Sequence, residues 1–234
     1  MNIKALISRN NFNEHENESL IFICKELENR NYILNFEYDN NLECAKFRPS
    51  EKKILLKPND SYSTIIYELL HAKLTYIDNY PDFEAINQIQ GNRNLILFKQ
   101  IISVTNDLQH FIFYDKFKLL TQSSIKVCFI QNEKDFMDLS NYEFIDFFKD
   151  NPITPRERSL ALDNSYKNNF IPLLYNILLY DGDITQLEKI KDNIQIRPFY
   201  KLFDNIINAD RNTMKIEDAY ENFFEELYQL INNN

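Results

Sequence analysis

Two short stretches of this chain carry a carboxylate and a histidine three residues apart: Glu68 and His71 in "YELLHAKL", residues 67–74, and Asp107 and His110 in "NDLQH", residues 106–110. On a helix that spacing sets both side chains on one face, about one turn apart, where they can share a water, a proton or a metal ion. The chain has three histidines. The third, His15, stands among Glu14, Glu16 and Glu18 at the start of an amphipathic segment, the setting of a solvated surface side chain. Imidazole chemistry therefore rests on His71 and His110.

The elements around the pairs can be read from pattern. "PND" punctuates at residues 58–60, and Asn59 or Asp60 can cap a helix that carries Ile65, Ile66, Leu69, Leu70 and Leu74 at helical spacing. The first pair lies in the middle of that helix. Upstream, "YILNFEY" (32–38), "CAKFR" (44–48) and "KILLK" (53–57) are short alternating or β-rich runs, which predict a small antiparallel meander. After a loop over 78–94, "DNYPDFEAINQIQGNRN", a longer helical pattern covers roughly residues 93–120 and carries Asp107 and His110.

The segment "KILLKPNDSYSTIIYELLHAKL" resembles the strand-then-helix unit of zincin-like metallopeptidases, particularly the compact bacterial and phage families of ImmA/IrrE type. In such families the helix carries His-Glu-x-x-His, the two histidines bind zinc, the glutamate polarises the zinc-bound water, and a later helix supplies a third ligand. The resemblance spans about residues 30–120. It implies Glu68 as general base and His71, His110 and Asp107 as zinc ligands, with a peptide or protein as substrate. Tyr67 stands where the motif has its first histidine. A neutral phenol is a poor zinc ligand, because its oxygen donates strongly only after losing a proton with an ordinary pKa of about 10. Beside such a site Tyr67 would instead serve as an oxyanion donor.

The function this implies is zinc-dependent peptide hydrolysis, weakened or altered. Two rivals stand next to it. One is a catalytically inactive pseudoenzyme that keeps the fold as a protein-interaction module. The other is a dinuclear metal protein, since carboxylate-x-x-His pairs from different helices also hold di-metal centres. That reading needs two further inward carboxylates, and the strands ahead of the helix speak against a bundle.

Each residue also has a plainer role. A histidine on an apolar helix is commonly a hydrogen-bonded core residue. A carboxylate there needs a partner, and Lys73 or His71 is near Glu68 in sequence. Tyr67 reads equally as a core aromatic, as do the Phe and Tyr residues at 111–117.

Composition narrows the function classes. With 234 residues, 44% of them hydrophobic, the chain can fill a substantial core. Only two glycines are present, which excludes glycine-rich phosphate loops. A net charge of −9 argues against binding nucleic acid. "MNIKALISRNNFNEHENE" lacks a signal-peptide core, and the longest apolar run, "FIPLLYNILLY", is too short to span a bilayer, so a cytoplasmic location is expected. Cys24, Cys44 and Cys128 are odd in number and scattered, so they are expected to be reduced and mostly buried.

The rest of the chain reads as helical packing material. Residues 14–29 form one helix, with Leu20, Ile21, Ile23, Cys24 and Leu27 on its inner side. "IKVCFI" suggests a strand and "NYEFIDFFK" a short helix. Thr154, Pro155 and Glu157 form a helix start with a capping box, and that helix reaches Tyr180 with a kink at Pro172. Two more helices follow at about 184–208, interrupted near Pro198, and at about 215–232. The expected fold is α+β and mostly helical: a zincin-like core over 1–121, and a helical region over 122–234 packed on it as one continuous domain.

Overall fold

The computed structural model of the chain describes residues 1–93, 95, 101–122, 143–152, 154–180, 185–207 and 215–232. It is mostly helical with one three-stranded sheet, the α+β class expected. The strand expected at "IKVCFI" lies outside the described residues. The chain divides into two compact units. The first takes in Met1–Asp82 and resumes at Phe113, and the second takes in Phe83–Ile112 and the described residues from 143 onward.

In the first unit, helix α1 (Ile3–Arg9) is capped by Asn2, and α2 (Glu14–Glu28) by a capping box in which Asn13 and Glu16 each bond the other's backbone. Leu20, Ile23, Cys24 and Leu27 of α2 are buried. Cys44, expected to be buried, is exposed. Strands β1 (Asn35–Tyr38), β2 (Lys46–Arg48) and β3 (Lys53–Leu56) fall where the alternating runs predict them. Their order corrects the expected antiparallel meander: it is β1-β3-β2, with β1 parallel to β3 and only β2 antiparallel. The linkers explain this. Pro49–Lys52 is a tight turn with Lys52 at φ 49°, so β2 and β3 form a hairpin, whereas residues 39–45 are long enough to carry β2 past the central position.

Helix α3 (Tyr62–Tyr76) follows. Its cap is Ser61 rather than Asn59 or Asp60, because Asp60 turns back to accept the Lys57 N–H at 2.6 Å. From Ile65 to Ala72 every residue of α3 is buried.

The second unit is helical. Helix α4 (Phe83–Gln90) occupies the stretch expected to be loop, ending at Gly91, whose φ of +58° is the left-handed stop that glycine adopts without strain. Helix α5 (Ile101–Thr121) gives residues up to Ile112 to this unit and the remainder to the first. Helix α6 (Pro155–Ser165) starts with the expected Thr154–Glu157 capping box. It passes through a π turn (Tyr166–Phe170) into α7 (Ile171–Tyr180). The departure from α geometry falls just ahead of Pro172, where the Ile171 N–H reaches back to the Tyr166 carbonyl and the proline has no N–H to continue the ladder.

Helices α8 (Thr185–Ile190), α9 (Arg197–Ile207) and α10 (Ile216–Asn232) complete the unit. The interruption comes before Pro198, which sits in the first turn of α9, where its missing N–H costs nothing. Tyr166, Phe170, Phe199, Phe203 and Phe223 form a connected aromatic core. The helix expected at "NYEFIDFFK" is absent over its described part: 143–146 is irregular and 147–150 is turn.

Candidate functional site

The first carboxylate-histidine pair sits on α3 in the first unit. Glu68 is 6% exposed, and its Oε2 accepts a hydrogen bond from the Phe47 N–H at 2.7 Å. Phe47 is the middle residue of β2, the edge strand, so this carboxylate takes the place a further strand would occupy. The other sheet edge is closed similarly, by mutual bonds between Met1 and Phe36. Burial pushes the Glu68 carboxyl up to about 7, partly offset by the Phe47 bond. Of the two partners anticipated for it, Lys73 and His71, Lys73 pairs instead with Glu26.

Tyr67 and His71, four residues apart, meet edge to face with ring centroids 4.5 Å apart. Phe113 closes on both, at 5.6 Å from Tyr67 and 5.0 Å from His71, and Phe117 adds a further edge contact to Tyr67. Tyr67 is thus an aromatic ring seated among aromatic rings.

The second pair sits on α5 in the second unit and is built differently. Asp107 accepts one phenol at each oxygen: Tyr166 at 2.7 Å on Oδ2 and Tyr175 at 2.6 Å on Oδ1. The Tyr175 oxygen lies 3.2 Å from Nδ1 of His110, which is fully buried. Tyr175 has one proton and gives it to Asp107, so its oxygen accepts from His110, which assigns a proton to Nδ1. Burial raises Asp107 to about 6 against the opposing pull of the two phenols. Tyr166 and Tyr175 are both pushed well above the usual phenol range, first by burial and then by the Asp107 charge. At neutral pH this is an ionised carboxylate clasped by two neutral phenols.

Sequence reasoning found Asp107 and His110 but missed Tyr166 and Tyr175. A signal existed in "FIPLLYNILLY": a tyrosine inside an apolar helix must bring its hydroxyl to a partner.

His71 and Glu68 belong to the first unit, and Asp107 and His110 to the second. Among the described residues no group of three or more His, Cys, Asp or Glu side chains could hold a metal ion. Both oxygens of Asp107 are occupied by phenols, and Glu68 is turned to a backbone N–H. As placed, Asp107 gives its oxygens to phenols and not to a zinc ion.

No family model matches this chain. Neither the curated proteins nor the solved structures provide a match. No described helix is long and apolar enough to cross a membrane.

Proposed function

We propose that this chain is a metallopeptidase-related protein with a degenerate motif, catalytically inactive and working as a protein-interaction module. One observation carries the reading: the acidic member of each carboxylate-x-x-His pair is committed to a structural hydrogen bond, Glu68 to the backbone of an edge strand and Asp107 to two phenols. A general base must reach a water or substrate proton, and a ligand must turn a lone pair to the metal. The strand-then-helix order β3–α3 supports the relationship to zincin-like folds, and the aromatic seat of Tyr67 supports loss of the first ligand.

The test is elemental analysis of untagged protein together with melting curves, with and without zinc, for wild type, Tyr67→His and Tyr67→Phe. The expected result is no zinc in wild type and a zinc-dependent rise in Tyr67→His alone, since a ligand bound only by the folded state stabilises it. One zinc per chain in wild type, with peptide turnover abolished by Glu68→Gln, would restore the hydrolase reading. About two iron or manganese ions per chain would favour the dinuclear one. No response in any folded variant would end the metallopeptidase relationship.

A further inference from the structure

A cavity of about 520 Å³ lies between α9 and α10, within the second unit, and its size is that of a small-molecule site, about 300–1,000 Å³. On its α9 wall Arg197, Lys201 and Asn205 follow at four-residue spacing, a ridge of N–H donors about 12 Å long. Asn222 and Glu226 line it from α10, likewise four residues apart. Buried Leu202 and Phe223 supply the apolar lining.

Glu226 reaches over to α9, where Oε1 accepts from Arg197 Nε at 2.5 Å and Oε2 accepts from the Lys201 ammonium at 3.1 Å. Both carboxylate oxygens are engaged, and donors remain. The terminal nitrogens of Arg197 make no hydrogen bond or ion pair with a described residue, and neither does the side-chain amide of Asn205 or Asn222. Glu225, the other acid on the wall, is answered by Arg93 at 3.4 Å and by the Gln229 amide at 3.1 Å. Two cations against one acid leave a single positive charge facing the cavity, in a chain of net charge −9. With Nε taken, the guanidinium still has the two-pronged edge that matches a carboxylate. A phosphate monoester, at about −1.5 to −2 near neutral pH, would overshoot that charge.

We propose that the cavity between α9 and α10 binds a small organic monocarboxylate whose remainder carries uncharged amide or hydroxyl groups. Arg197 and Lys201 take the carboxylate, and Asn205 and Asn222 take the polar remainder. Glu226 positions the two cations and sets the charge of the ligand they accept, because it holds the cavity at one positive charge rather than two. It also competes with the ligand for the same donors. Neutralising Glu226 therefore strengthens anion binding and admits dianions, an effect that a purely structural ion pair would not produce.

The probe is N-acetylglutamine, which has one carboxylate and two amides. Its C-terminal amide is the uncharged control, and N-acetylglutamate is the dianion. Titrated into the full ¹⁵N-labelled chain and followed by backbone amide shifts, the probe should saturate with shifts centred on α9 and α10. The uncharged control should bind about tenfold more weakly. Arg197→Lys, which keeps the charge and loses the fork, should weaken the probe by a similar factor. Glu226→Gln should bind N-acetylglutamate about tenfold more tightly than wild type does. Wild type that shows no saturable shift on α9 and α10, or that binds probe and uncharged control equally, would overturn the site. So would a folded Arg197→Lys that binds like wild type, and an unchanged dianion affinity in Glu226→Gln would overturn the role given to that acid. None of these residues enters the zinc experiments, so the two sets of results stand or fall separately.

Discussion

The pairs Glu68/His71 and Asp107/His110 share a spacing and a helical setting, yet they are used in different ways. On α3 the carboxylate looks to the backbone of β2 and the imidazole lies among aromatic rings. On α5 the carboxylate and the imidazole are joined through one phenol, Tyr175, and a second phenol completes the acid's valences. Spacing fixes only which face a residue shares. What the opposite wall presents decides whether the acid is a strand cap, a network hub or a base. Both carboxyls are raised by burial, Glu68 to about 7 with one donor and Asp107 to about 6 with two.

The largest effect should come from pH. Each acid binds its proton more strongly folded than unfolded, so its contribution is fully present below the unfolded value of about 4 and is lost as pH rises through about 6 for Asp107 and about 7 for Glu68. Urea unfolding of wild type should show roughly 4 kcal/mol less stability at pH 8 than at pH 5, at about 1.4 kcal/mol per pH unit for each acid across its window. Glu68→Gln should flatten the upper part of that slope and Asp107→Asn the lower part. A profile that rises over this interval would contradict the burial of both groups.

Removing the acids outright sharpens the contrast. Asp107→Ala strands two buried phenols and should cost about 3 kcal/mol in the same assay. Glu68→Ala strands one backbone N–H and should cost about 2 kcal/mol. If the two losses come out reversed, the edge of the sheet matters more to folding than the phenol network. The smallest effect belongs to Glu68→Gln at pH 5, within about 1 kcal/mol of wild type, because Glu68 is then largely protonated and an amide oxygen still accepts the Phe47 N–H.

How far the sequence carried can be judged on particular residues. Thr154, Pro155 and Glu157 announced a helix start because capping is local chemistry, settled within four residues. The apolar positions of α3 were legible for the same reason. The order of the sheet was not, since it depends on which side of β3 the 39–45 linker delivers β2, and alternation within a strand is silent on that. The non-helical backbone at 145–147 was hidden more deeply: its amide partners, Asn169 for Ile145 and Gln195 for Phe147, lie 24 and 48 residues away. At the candidate site the types and spacing were visible, and the partners that set their chemistry, Phe47, Tyr166 and Tyr175, were not.

The π turn has a bearing on how this sequence can change. Tyr175 follows Tyr166 by nine residues, and at about 100° per residue an unbroken α-helix would set them on opposite faces, roughly 180° apart. One residue in excess, absorbed by the π turn, takes about 100° from that angle and lets both hydroxyls reach Asp107. The nine-residue separation of the two tyrosines and the π turn between them are therefore matched to each other. A single-codon deletion there would remove the excess residue, restore an unbroken α-helix with the two tyrosines eight residues and about 80° apart, and keep both phenols on the side of the acid they serve.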